Sequence, residues 1–347
     1  MGRSIEKTNE QITTLNKILD QVNEIIKWGI IGPGKISHKF ASDLKLVDGS
    51  VLTAVASRDL SRAQAFADQY EASNAYGSYD EILEDSDIDI LYIATPHTFH
   101  AEWAIKALNH GKNILCEKPL GINKSEVKSI IECARKNNCF MMEALWSRFN
   151  PTIIDCLNKI EKGIIGEPNH ITADFTFYNN PSEEGRLLNM DLAGGSLLDI
   201  GIYPIFLAYL ILGMPESIKA HGIFHHNTGA DIQVSTSLLY KNATAQLSSS
   251  IMTQSEMVAK IAGKKGAIYL DSRWHEAKGY TIKTAENEEH IGKPIIGFGY
   301  SHEIIECVDC IRKGKKESEK WTHQNSLDLI TIMDQIRSEI GLKYPFE

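Results

Sequence analysis

The chain has no excess of basic charge, no clustered cysteines, no long uninterrupted apolar run, no internal repeat and no low-complexity tract. Lysine and arginine total 36 against 45 acidic residues, for a formal net charge of −9. That balance argues against a general nucleic-acid or membrane-surface binder, and neither kind of partner is expected. The six cysteines, Cys116, Cys133, Cys139, Cys156, Cys307 and Cys310, are scattered through a chain too long to need covalent staples. They read as reduced thiols of a cytoplasmic protein. Cys307-x-x-Cys310 has no second pair to complete a zinc site, and no histidine group has ligand spacing, so no catalytic metal is expected. The N-terminus lacks the basic, apolar and small-residue regions of a signal peptide. The apolar run 202–214 is too short for a membrane span and holds Pro204, so a buried helix is expected there.

What is present is enough chain, 347 residues, for two domains with sizeable cores. Residues 1–26 form a separate segment. Ile5, Ile12, Leu15, Leu19, Val22 and Ile26 fall near heptad spacing, which predicts an amphipathic helix lying on the body of the protein or on a second subunit. Over 27–145 apolar strand candidates at 27–31, 51–56, 89–94, 113–116 and 139–142 alternate with helical stretches. Ser78-x-x-Glu81 and Asn123-x-x-Glu126 read as helix starts, and Gly111 as a helix stop. This alternation predicts an α/β Rossmann domain with a doubly wound parallel sheet.

Over 146–347 the pattern changes. A helix at 151–162 is followed by period-2 runs at 171–177, 231–240, 243–252 and 257–262. Gly263-Lys264-Lys265-Gly266 reads as a hairpin turn. These features predict an α/β domain with a large, mostly antiparallel open sheet, closed by helices at 301–313 and 323–340.

Trp28 to Ser37 carries the first functional signal. Gly32 permits a tight turn, Gly34 lets the backbone approach a pyrophosphate, and the small Ser37 allows close helix–strand packing. Lys35 and Ile36 open the helix whose amide donors would face the phosphates. A dinucleotide site is expected. Its second strand ends in Ser57-Arg58 rather than in the acidic residue usual for NAD. A hydroxyl and a guanidinium suit a 2′-phosphate, so NADP is expected over NAD. The alternative is that Ser57 or Asp59 only caps the next helix, with Arg58 solvated.

Two further segments follow strand candidates, at the strand ends where open α/β sheets hold ligands: Thr95-Pro96-His97 and Glu117-Lys118-Pro119. His97 and His100 either line the nicotinamide pocket or cap the next helix. Asp199 and Tyr203 stand four apart and share a face if helix spans both, while Gly201 and Pro204 leave the helix start open. Trp146, Arg148 and Phe177 are substrate-pocket candidates, with packing at the domain junction as their alternative.

These motifs resemble the glucose–fructose oxidoreductase/inositol dehydrogenase (Gfo/Idh/MocA) family over residues 27–347. The resemblance rests on Trp28–Ser37, Gly77–Glu81, Thr95-Pro96-His97-x-x-His100 and Glu117-Lys118-Pro119. Glu143-Ala144-Leu145-Trp146-Ser147-Arg148-Phe149, with tyrosine rather than histidine at 203, is similar to the dimeric dihydrodiol dehydrogenase and NADP-dependent D-xylose dehydrogenase branch. The resemblance implies NADP-dependent hydride transfer at a hydroxyl carbon of an aldose or cyclic polyol, with a trans-dihydrodiol as alternative substrate. A non-catalytic NADP-sensing regulator is the rival of another class. The resemblance also implies a homodimer and makes Lys118 and Tyr203 the catalytic pair. An ammonium near Tyr203 would lower a phenol pKa of about 10 toward neutrality, making it an acid/base group. Asp199 would hold Lys118 or a substrate hydroxyl, and Lys118 itself as base stays open.

Overall fold

A computed structural model describes residues 24–347. The helix expected over residues 1–26 lies outside the described residues except at its end. There Ile26 is not helical: it begins the first strand and is buried.

Six parallel strands form the first sheet: β1 (Ile26–Ile31), β2 (Ser50–Ala56), β3 (Asn74–Tyr76), β4 (Ile90–Ile93), β5 (Asn113–Glu117) and β6 (Met141–Ala144). Their order is β3-β2-β1-β4-β5-β6. Near-continuous apolar runs such as Ile90-Leu91-Tyr92-Ile93 are buried on both faces, as a sheet covered by helices on two sides requires. The order reverses between β1 and β4, so a crevice opens at the carboxyl ends of those strands. The short β3 has too few residues to show a period and escapes sequence reading. The strand expected at 139–142 begins two residues later, at Met141.

The second sheet has eight strands: β7 (Pro168–Thr176), β8 (Ser217–Phe224), β9 (Asp231–Leu239), β10 (Thr244–Ser250), β11 (Ala259–Gly263), β12 (Gly266–Leu270), β13 (Gly279–Thr284) and β14 (Glu288–Gly292). Their order is β14-β13-β12-β11-β7-β10-β9-β8. All neighbours are antiparallel except β7 and β10. Ile171, Ala173 and Phe175 point inward from β7. They meet the helix Ile202–Leu212, which is buried along most of its length. The stretch Met190–Leu212 is apolar and long enough to cross a membrane by composition, but 83% of its most apolar window is buried within the protein. It is a core element.

The C-terminal helices Ser301–Arg312 and His323–Ile340 return over the first domain. Asp43 accepts hydrogen bonds from the main-chain N–H groups of Phe298, Tyr300 and Ser301. Lys124 N–H donates to Asp334, and Arg337 donates to the Ile122 carbonyl. These ties hold the C-terminal helices against the first domain.

The turn that leads into the buried helix is fastened from below. Asp231, at the start of β9, is fully buried. Its Oδ2 accepts from Ser196 Oγ at 2.9 Å and from Leu197 N at 2.7 Å. Gly195 has φ +133, and a Cβ there would collide with Asp231 Oδ1. Gly195→Ala should therefore destabilise the fold by about 1–3 kcal/mol, combining backbone strain with a steric clash. A urea titration checks this; an unchanged midpoint would mean that the carboxylate moves aside freely.

Candidate active site

Glycine chemistry shapes the first part of the site. Gly32 has φ +89, and a Cβ there would meet the Ala94 carbonyl at 2.9 Å. Ser37 Oγ donates back to the Gly32 carbonyl at 2.7 Å and closes the turn. Gly34 caps the helix Lys35–Leu44, and a Cβ built on it would meet no protein atom within 4 Å. It would project into an open groove of about 550 Å³. A backbone left bare toward an empty groove at a helix N-terminus fits a pyrophosphate.

The groove runs past Thr95 and Pro96 on one side and Ser57, Arg58 and Arg62 on the other. Ser57 is buried, and its Oγ accepts from Asp59 N at 3.3 Å. Asp59 is the cap of the helix Leu60–Tyr70, accepting from Ser61 N. The capping alternative thus holds for Asp59, while Arg58 is exposed along the groove. Arg62, in the first turn of that helix, lines it too. Arg62 was not singled out in the sequence, and no local pattern marks it. A second cavity of about 330 Å³ adjoins Arg58, between Tyr79, Phe99 and Trp103.

Deeper in, β5 delivers Glu117 and Lys118. Glu117 is buried. It accepts from Tyr92 Oη and, at 3.2 Å, from Lys118 N, so it orients the lysine's backbone. Burial raises its pKa, opposed chiefly by the Lys118 charge. His100 is fully buried, with ring nitrogens 2.8 Å from both the Thr95 and Pro119 carbonyls. It ties the two strand-end loops together and leaves no nitrogen for a cofactor. His97 is buried and held neutral by burial. Its Nε2 stands 3.9 Å from Asp199 Oδ1.

The segment with Asp199 and Tyr203 begins as a wide turn, Leu197–Gly201, and continues as the helix from Ile202. Lys118 meets both residues. Its Nζ donates to the Asp199 main-chain carbonyl at 2.5 Å and lies 5.2 Å from the Tyr203 ring centre. Tyr203 Oη accepts from Trp146 Nε1 at 2.8 Å. Burial, followed by the Glu117 charge, pushes the Tyr203 phenol well above its ordinary value. The expectation that Lys118 lowers it is therefore corrected. The ammonium sits over the ring face rather than at the hydroxyl, and desolvation outweighs it.

The aromatic surroundings of Tyr203 differ in part from the expected ones. Trp146 is there, stacked on Tyr300 with ring centres 4.9 Å apart. Phe175 rather than Phe177 faces Tyr203, at 5.3 Å, and stacks on His275 at 4.1 Å. Phe177 stands behind Phe175, at 6.3 Å. Arg148 turns away and donates to the Lys320 carbonyl at 2.7 Å, so its junction-packing alternative is the one realised. Arg186, His275 and Tyr300 went unnoticed in the sequence. They come from loops far apart in the chain, and no local pattern marks them.

A dinucleotide groove at a Rossmann switch point, with a lysine and a tyrosine converging beyond its inner end, defines a nicotinamide-dependent oxidoreductase. Residues 26–145 match an oxidoreductase family with an NAD-binding Rossmann fold, and residues 156–269 match the GFO/IDH/MocA C-terminal domain. The chain belongs to the Gfo/Idh/MocA oxidoreductase family.

Among its relatives, trans-1,2-dihydrobenzene-1,2-diol dehydrogenase of Xenopus tropicalis is 38% identical over 92% of this chain and 99% of its own. The Bos taurus enzyme of the same name is 34% identical, covering 92% and 98%. KijD10, a 3-ketoreductase from Actinomadura kijaniata solved with NADP and TDP-benzene, superposes with a TM-score of 0.83 at 26% identity, covering 91% and 98%.

Proposed function

We propose that this protein is an NADP-dependent dehydrogenase acting on one hydroxyl of a cyclic vicinal diol, with a trans-dihydrodiol as first substrate and an aldose as second. The observation that carries this reading is the meeting of Lys118, Asp199 and Tyr203 at the carboxyl end of β5. The aromatic wall of Trp146, Phe175 and Tyr300 supports a ring-shaped substrate, since flat or CH-rich faces pack well on aromatic rings. The names of the relatives support the diol over the sugar. Arg58 and Arg62 at the groove's rim support NADP over NAD.

The residues then have these roles. Gly32 and Gly34 admit the pyrophosphate, and Arg58 and Arg62 hold the 2′-phosphate. The cavity beside Tyr79 and Trp103 takes the adenine. A bound NADP would supply the hydride acceptor for the substrate's carbinol carbon. Lys118 donates from Nζ to the reacting oxygen and orients it. Tyr203 exchanges the hydroxyl proton at Oη, and Trp146 fixes that oxygen from behind. In the reduction direction Tyr203 is already protonated and acts as the acid.

Following absorbance at 340 nm with NADP and then NAD tests this against trans-1,2-dihydrobenzene-1,2-diol, D-xylose, D-glucose and an inositol. NADP-selective turnover of the diol is expected. Turnover of sugars alone would overturn the diol assignment. Silence across the panel with intact NADP binding would favour a sensor over an enzyme. We also assign the protein to the cytoplasm, a reading supported by its six free thiols. A homodimer through the helix-free face of the large sheet, where Ser235 and Gln246 are exposed, completes the reading.

A further inference from the structure

Three nitrogens gather around one carboxylate oxygen in the site. Asp199 Oδ1 lies 3.0 Å from Arg186 Nη1, 3.7 Å from Lys118 Nζ and 3.9 Å from His97 Nε2. Arg186 Nη2 also reaches Asp199 Oδ2, at 3.2 Å. The guanidinium therefore grips the carboxylate with both arms of its fork, and Lys118 is left with the longer contact. Lys118 donates instead to the main-chain carbonyl of the same residue, at 2.5 Å.

This order of distances is not the one an isolated pair would adopt. The side chains of Lys118 and Asp199 are 12% and 13% exposed. An ammonium and a carboxylate so shielded from water would normally close to about 2.7–2.9 Å. A planar fork matches a carboxylate better than a point charge does, so Arg186 wins the competition. Burial by itself would raise the Asp199 pKa, but the Lys118 and Arg186 charges outweigh it and hold the group well below the usual range. Asp199 is thus a firm anion that must be paired, and the question is by which cation.

We propose that Arg186 is a positioning residue that occupies the Asp199 carboxylate and so keeps the Lys118 ammonium available to the substrate oxygen. This rests on the reading of Lys118 and Tyr203 as the groups that handle the substrate hydroxyl. Without the guanidinium, the buried carboxylate has no better partner than Lys118 and turns to it. A lysine locked in that pair has fewer donors and less net charge for an oxygen that becomes negative as its proton leaves. Arg186 lies on the loop between β7 and the helix Ile202–Leu212, with its side chain 44% exposed. Removing it leaves little buried space, so a loss of activity is not a loss of fold.

The test is a double-mutant cycle on the full chain, with NADP and trans-1,2-dihydrobenzene-1,2-diol: Arg186→Ala, Asp199→Asn and both together. Arg186→Ala is expected to lower kcat by roughly 10- to 100-fold, the worth of one charge-assisted hydrogen bond at the reacting oxygen. Its Kd for NADP should stay within about two-fold, because it does not line the cofactor groove. In the Asp199→Asn background the same change should cost less than about three-fold, since an amide does not sequester an ammonium. Equal losses in both backgrounds, or no loss in the first, would overturn the proposal.

A crystal structure of the Arg186→Ala protein gives a readout that needs no turnover. The Lys118 Nζ to Asp199 carboxylate distance should fall from 3.7 Å to hydrogen-bonding range. A distance that stays at 3.7 Å refutes the competition itself. Full activity of Lys118→Met, by contrast, would refute the catalytic pair and leave the competition standing, so the two failures can be told apart.

Discussion

Replacing Tyr203 by phenylalanine is expected to lower kcat by about 10²- to 10⁴-fold, the usual worth of a positioned proton-transfer group. The ring stays, so its packing with Phe175 stays, and the Trp146 N–H loses its acceptor. NADP binding should survive, because Tyr203 does not line the cofactor groove. The pH dependence gives the test its sign. A phenol ordinarily ionises near pH 10, and burial pushes this one well above that. Oxidation requires the ionised form, whose fraction rises up to about tenfold per pH unit below the pKa. The kcat/KM for oxidation should thus climb from pH 6 to about 10 without levelling, whereas that for reduction stays flat. Tyr203→Phe should abolish the slope. If activity remained within a few-fold of the unmutated protein, or if the slope persisted, the proton would be passing through another group, with Lys118 the first to examine.

The second large effect falls on the cofactor. Changing Arg58 and Arg62 together to alanine should raise the Kd for NADP by at least about 10²-fold. A charge-assisted hydrogen bond contributes about 1.5–3 kcal/mol, and two are removed. Binding of NAD should change by less than about three-fold, since it lacks the phosphate those guanidinium groups meet. Isothermal calorimetry at two salt concentrations measures both, and the NADP value alone should weaken steeply with salt. Equal losses for the two cofactors would mean that the arginines hold the groove's shape rather than the 2′-phosphate. Arg58 was visible in the sequence as the residue where an acidic one is usual. Arg62 was not marked in the sequence, and its place on the groove depends on how the helix Leu60–Tyr70 is capped by Asp59.

Much of the fold could be read from local rules. The glycine turn, five of the six Rossmann strands and both C-terminal helices lie within a few residues of their expected bounds. Their signals are apolar periodicity and capping chemistry, which act over a few neighbours. The hairpin at Gly263–Gly266 followed from the same kind of signal. The return of the C-terminal helices over the first domain did not, because Asp43 and Ser301 are 258 positions apart and nothing in either segment names the other.

The site divides in the same way. Residue types and strand ends were enough to single out Gly32, Gly34, Arg58, Lys118, Asp199, Tyr203 and Trp146. By itself the sequence determined a Rossmann turn and, in Ser57-Arg58, a strand end suited to a phosphate-bearing cofactor, while the lysine and tyrosine expected to do the chemistry came from a family resemblance. Tertiary structure decided that Phe175 rather than Phe177 lies against Tyr203, that Arg148 serves the junction and that His100 serves the loops. It also decided that Arg186 grips Asp199 and that burial raises the Tyr203 phenol pKa. The physical reason is that periodicity and turn geometry are properties of neighbouring residues. Desolvation and the sharing of one carboxylate among cations are properties of what surrounds a group in space, here drawn from Lys118, 81 positions from Asp199.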